Sequence, residues 1–161
     1  MEEYEKILVE RSAYRQAGYI LMHLLTHYRF KSSVIRFDIN SESIYHENID
    51  SLKNNEGILN DNVIMCLRAG PLSEKNFCLQ ESVIYDSDMT GDDLWQISRL
   101  FFDEKYHPTD FEKHLQRLDK DTEELLKEHW DFVVIIAGKF IQGNDLTVKE
   151  INRLWGEFIT S

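Results

Sequence analysis

The chain has 161 residues, 42% of them hydrophobic and 12% aromatic, the composition of one folded domain with its own core rather than of a disordered segment. A formal net charge of -11 and a pI near 4.9 set it against nucleic acid and anionic membrane surfaces, since like charge repels both. Protein or small-molecule partners fit that charge, and no cofactor motif is present.

The longest apolar run, Phe132 to Ala137, falls far short of the roughly 20 residues that a membrane helix needs. The opening MEEYEK lacks a basic stretch followed by an apolar one, so a cytoplasmic location is expected. Cys66 and Cys78 stand apart with no C-x-x-C pattern. They are expected to be small core residues rather than a disulfide or a thiolate metal site.

In chain order, residues 3 to 28 predict a helix, with Ile7, Leu8, Ala13, Ala17, Leu21, Leu24, Leu25 and Tyr28 recurring at three- and four-residue steps. Gly18 lies inside it, where glycine is about 1 kcal/mol worse than alanine; its presence suggests the close approach of another backbone. Val34, Ile35, Phe37 and Ile39 predict one or two strands between Phe30 and Ile39. Ser41 to Gly57 is polar and without period, and reads as a loop.

A second helix is expected from Asn60 or Asp61 through Ile64, Met65, Leu67 and Arg68 to Ala69-Gly70, with Pro71 ending it or opening a new section. Phe77 to Asp88 reads as loop, and a third helix is expected from Thr90 to about Tyr106. From Asp110 to Gln142 the pattern is helical, with a bend near Lys120. Its buried stripe is predicted as Leu115, Leu118, Leu125, Leu126, Trp130, Val133, Val134 and Ala137, while the acids from Asp119 to Glu124 form a solvated face. Gly143-Asn144 ends that stretch. Thr147-Val148-Lys149-Glu150 is a capping box and starts a last helix carrying Ile151, Leu154, Trp155 and Phe158 inward. The class is α+β, mostly α-helical: a first helix plus a small β-sheet, then a helical bundle, in a single domain over residues 1–161.

The chemistry-bearing stretch is Arg15-Gln16-Ala17-Gly18-Tyr19 on the first helix. In H-E-x-x-H, two histidines one turn apart hold Zn²⁺ and the glutamate takes a proton from the metal-bound water. Arg15, Gln16 and Tyr19 stand at those three positions. A guanidinium repels a dication, and a primary amide has no basic site near neutral pH.

Three blocks in register over about 150 residues make the chain resemble the peptidase domain of the FtsH-like ATP-dependent zinc metalloproteases. AYRQAGYILMHLL followed by FKSSVI resembles the family's A-Y-H-E-A-G-H helix and strand; Ala69-Gly70-Pro71-Leu72-Ser73-Glu74 is similar to its A-G-x-x-A-E; Thr90-Gly91-Asp92-Asp93-Leu94 is similar to the segment whose second acid is the third zinc ligand. The resemblance implies an FtsH-peptidase-like fold with a vestigial metal-site half, residues 1–106, and a helical C-terminal part, residues 107–161. It implies a catalytically silent domain without metal, in which Arg15 pairs with Asp93 across the former metal position and the Tyr19 hydroxyl and Gln16 amide complete the network. It also implies a cleft that accepts a peptide along the strand of Val34, Ile35, Phe37 and Ile39.

Two other classes stay open. His23 and His27 have metal-pair spacing on the first helix, without a glutamate after His23; they are read as rim histidines, and a metal-dependent hydrolase with relocated ligands would use them. A structural or oligomerisation module is the third class, since the amphipathic C-terminal helices leave room for a homo-oligomer.

Overall fold

In a computed structural model, residues 2–27, 30, 32–39, 61–85 and 108–161 are described, the last stretch with side chains from Glu112 onward. The elements are α1 (Glu3–Thr26), β1 (Val34–Ile35), α2 (Asp61–Gln80), α3 (Pro108–Glu128), α4 (Trp130–Ile141), β2 (Leu146–Thr147) and α5 (Val148–Thr160). The mostly helical class with a small sheet is what the described residues form. The expected loop at Ser41–Gly57 and the helix from Thr90, with Trp95, lie outside them.

α1 is the central element. From Ser12 to His23 every residue except Tyr14 is buried, because α2 packs on one side and α4 on the other. One apolar cluster joins Tyr19 and Met22 to Val63, Ile64 and Leu67 of α2 and Leu118 of α3. A second joins Ala13, Ala17, Ile20 and Leu21 to Ile35, Leu72, Phe132, Ile136, Phe140, Leu146 and Ile151, and so runs across the boundary placed near residue 106. Cys66 and Cys78 are buried thiols, and burial pushes the Cys66 thiol up to about 12.

Two glycines set how close α1 and α2 come. A Cβ on Gly18 would stand 2.5 Å from the Ser73 Cβ and 2.6 Å from the Ala69 carbonyl oxygen. A Cβ on Gly70 would run into the Tyr19 ring. The Ser73 hydroxyl then donates to the Tyr14 carbonyl at 2.6 Å, and the Tyr14 ring stacks on Phe77 of α2 at 4.4 Å and Trp130 of α4 at 5.5 Å. Aromatic stacking of this kind ties three helices at one level.

The sequence-based boundaries shift in four places. α1 stops at Thr26 because His27 turns into the left-handed region (φ 60°), its N–H closing on the His23 and Leu24 carbonyls. The strand is only two residues long and pairs antiparallel with β2, Val34 opposite Thr147 and Ile35 opposite Leu146. α2 passes through Pro71 and continues to Gln80. An internal proline is about 3 kcal/mol unfavourable in a helix, but Val63 to Leu67 before it and Leu72, Phe77 and Cys78 after it are all buried, and that packing outweighs the loss. The long C-terminal stretch breaks at His129, not near Lys120: His129 leaves helical geometry (φ -112°, ψ 23°) while its ring Nδ1 lies 2.9 Å from the Leu125 carbonyl.

Two side-chain assignments change as well. Val134 faces outward, and Asp119 is no free surface acid, since both its oxygens accept from the Arg68 guanidinium at 2.6 and 2.7 Å. The N-cap half of the capping box forms, the Thr147 hydroxyl accepting from the Glu150 N–H at 3.0 Å, while the Glu150 carboxylate lies 3.7 Å from Arg153 Nη2. Of the residues expected inward on α5, Ile151 is fully buried and Leu154, Trp155 and Phe158 are half-buried.

The glycine contacts predict opposite responses to the same substitution. Gly18→Ala forces a methyl against helix backbone and is expected to destabilise by about 3 kcal/mol. Gly156→Ala on α5, where an added Cβ meets nothing within 4 Å, is expected to stabilise by up to about 1 kcal/mol through helix propensity. Urea unfolding of the two variants against the parent checks both signs.

Candidate functional site

Arg15, Gln16 and Tyr19 leave α1 in different directions, as the advance of about 100° per residue requires. Residues 15 and 19, one turn apart, look toward α2. Gln16 looks toward the strand segment.

Gln16 is fully buried. Its Nε2 donates to the Arg36 carbonyl at 2.7 Å, and its Oε1 accepts from the Asp38 N–H at 3.2 Å. In an extended chain the groups of residues two apart point to the same side, so one primary amide, with a donor and an acceptor in a fixed fork, satisfies both as a neighbouring strand would. One turn earlier the Ser12 hydroxyl donates to the Ile39 carbonyl at 2.5 Å. On the other edge, the Ser33 carbonyl accepts from the Val148 N–H at 2.9 Å and the Phe37 N–H reaches Asp145 Oδ1 at 3.4 Å. Residues 33 to 39 are therefore held from both sides. A glutamate in place of Gln16 would lack the donor for Arg36 and would bring a charge into the interior.

Arg15 turns to an acid on α2. Its Nη1 lies 3.6 Å from Glu74 Oε2, and Arg11 Nε lies 3.4 Å from Glu74 Oε1. The guanidinium of Arg11 also lies over the Tyr85 ring, 5.7 Å from its centroid. Burial pushes the Glu74 carboxyl above the usual carboxylate range, and the Arg15 and Arg11 charges pull it part of the way back. Asp93, the expected partner of Arg15, lies outside the described residues. Among the described residues, the acid beside Arg15 comes from the second block, four residues after Gly70. Arg11 and Arg15, one turn apart, share a face of the helix, which is the sequence feature that lets both reach one carboxylate.

Tyr19 packs its ring over Gly70 in the α1–α3 apolar cluster. The Gln16 amide is turned to the strand rather than to Arg15. Among the described residues, the three positions that match H-E-x-x-H reach an acid of α2, the strand segment and the backbone at Gly70.

The histidine pair does not face one point either. His23 is buried, 3% exposed, its ring stacked on Phe30 at 5.1 Å; the expectation of a rim position is corrected by that packing. His27 is exposed beyond the helix end. Among the described residues no three His, Cys, Asp or Glu side chains are grouped to hold a metal ion, and no helix is long and apolar enough to cross a membrane. A cleft of about 400 Å³ lies elsewhere, between α2 and α3, lined by Leu72, Asn76, Leu79, Lys120, Glu124 and Leu126 among others.

Two expected outcomes come from these groups. Gln16→Leu removes both clamp bonds and leaves the Arg36 carbonyl and Asp38 N–H without them, at a cost of about 2 kcal/mol; hydrogen exchange should speed up at residues 36–39 before any change in α2. Burial lowers His23 to about 4, a backbone hydrogen bond to Tyr19 opposing it in part. Because the folded value lies below the ordinary 6.5, the unfolded chain takes up the proton first as pH falls. The His23 contribution is full above about pH 6.5 and is lost between about 6.5 and 4, on the order of 3 kcal/mol in all. His23→Phe, which keeps a ring against Phe30, should flatten that part of the stability–pH curve measured by urea unfolding.

No family model, curated protein or solved structure matches this chain.

Proposed function

We propose that the chain is a stand-alone, catalytically silent relative of the FtsH-like peptidase domain that works by binding a protein or peptide partner. Gln16 carries this reading. At the position where a zinc peptidase holds its general base, a fully buried amide spends its donor and its acceptor on Arg36 and Asp38. Arg15, at the position of the first histidine, is engaged with Glu74. A guanidinium cannot ligate Zn²⁺, and a primary amide cannot take a proton from a metal-bound water.

The binding part of the reading rests on the strand segment. The amide clamp occupies the outer edge at Arg36 and Asp38, so a peptide that adds by backbone pairing would meet the segment beside the clamp, near Val34, and at the exposed Ile39 side chain, 52% accessible. Phe37 is less suited to contact a partner, because its ring stacks on Phe140 at 5.6 Å. The site is therefore narrower than the four residues Val34, Ile35, Phe37 and Ile39.

Purified protein is expected to retain no stoichiometric Zn²⁺ after dialysis against it and to leave casein intact; zinc at one per chain together with cleavage would overturn the silent reading. On a peptide array, Val34→Pro and Ile39→Asp should each weaken captured peptides at least about tenfold, while Leu79→Asp, on the distant cleft, should not. The reverse pattern would move the binding site from the strand to the cleft.

A further inference from the structure

α4 is apolar almost all the way round. Such a helix is normally covered on every side, yet only the side of Phe132, Val133, Ile136, Ala137 and Phe140 is buried. The outward side carries Val134, Ile135 and Ile141, each 41% exposed. Gly138 lies between them, and a Cβ built there would meet nothing within 4 Å. At about 100° per residue, Asp131, Ile135 and Gly138 fall along the centre of this face, with Val134 and Ile141 on one flank and Lys139 on the other.

Charge decides the occupant. The chain carries a net -11, so two copies repel over most of their surface. α4 is an exception: its charged residues are Asp131 near its start and Lys139 near its end, which cancel. Two copies of α4 laid antiparallel bring each Asp131 opposite the other copy's lysine.

We propose that the outward face of α4 is the interface of an isologous dimer of this chain. With the twofold axis near Ile135, Asp131 lies opposite Lys139 of the partner subunit. Ile135 leans toward the start of its own helix, as helical side chains do, and enters the space left by Gly138 of the partner subunit. The same two contacts repeat across the axis, as closed twofold symmetry requires. The inference stands apart from the peptide-binding reading, since the strand segment and Gln16 take no part in it.

One helix face buries less than the roughly 1,200 Å² of stable complexes, so the dimer is expected to dissociate on dilution. Sedimentation equilibrium of the full chain over about 1–500 µM should show a monomer–dimer equilibrium. Gly138→Glu should weaken it at least about tenfold without lowering the melting temperature of the dilute protein. Asp131→Lys and Lys139→Asp should each weaken the dimer, and the two combined should restore it. Ile135→Cys, next to the axis, should cross-link under mild oxidation. A parent chain that stays monomeric throughout, or a dimer indifferent to Gly138→Glu, would overturn the proposal. So would a dilute Gly138→Glu protein that melts earlier, since the face would then be covered by its own chain.

Discussion

The contact on which the rest of the structure depends is the close approach of α1 and α2, set by the missing side chains of Gly18 and Gly70. Because no Cβ stands at either position, the Ser73 hydroxyl reaches the Tyr14 carbonyl and the Tyr19 ring lies flat over the second helix. The same approach brings Glu74 beside Arg11 and Arg15. Move the helices apart by the width of a methyl group and the ion cluster, the stack of Tyr14 on Phe77 and the apolar cluster of Tyr19 and Met22 with Val63, Ile64 and Leu67 all lose contact together. Interiors are packed too densely for one of these to give without the others.

α1 then works in two directions. Toward α2 it presents cations and a ring; toward the strand it presents Ser12 and Gln16, whose hydrogen bonds fasten residues 36–39. Among the described residues the sheet has two short strands, and an isolated pair of that size is marginal in water. The amide of Gln16 supplies what a third strand would. That requirement accounts for a glutamine rather than a glutamate at this position, independently of any ancestry in a peptidase.

Among the described residues, charged groups reach inward at two places, and at each an acid meets guanidinium groups. Arg68 and Asp119 form a two-pronged pair between α2 and α3, where bidentate geometry gives both strength and orientation. Glu74 is held between two guanidinium groups while burial works against its ionised form. Desolvation offsets much of what such pairs add to stability, and both join the second helix to a neighbour. The surface is different in kind: apolar side chains such as Ile84, Leu79, Ile39 and those along α4 are exposed in a chain that is otherwise strongly acidic.

By itself the sequence determined the helices α1 and α5, the N-cap at Thr147, the buried cysteines and the close approach at Gly18, because each is written in local periodicity, a hydrogen-bonding side chain at a fixed offset, or the lack of a Cβ. It also placed Arg15, Gln16 and Tyr19 on one helix. Tertiary structure alone decided where those side chains go: Gln16 to a strand segment twenty residues on, Arg15 to Glu74 on α2, His23 into the core against Phe30. It carried α2 through Pro71, where packing on both sides outweighs a local penalty, and it turned Val134 outward. Local rules report what a residue prefers; which neighbour satisfies a buried amide or guanidinium depends on elements distant in the chain, and those meet only when α1 has been packed on both sides.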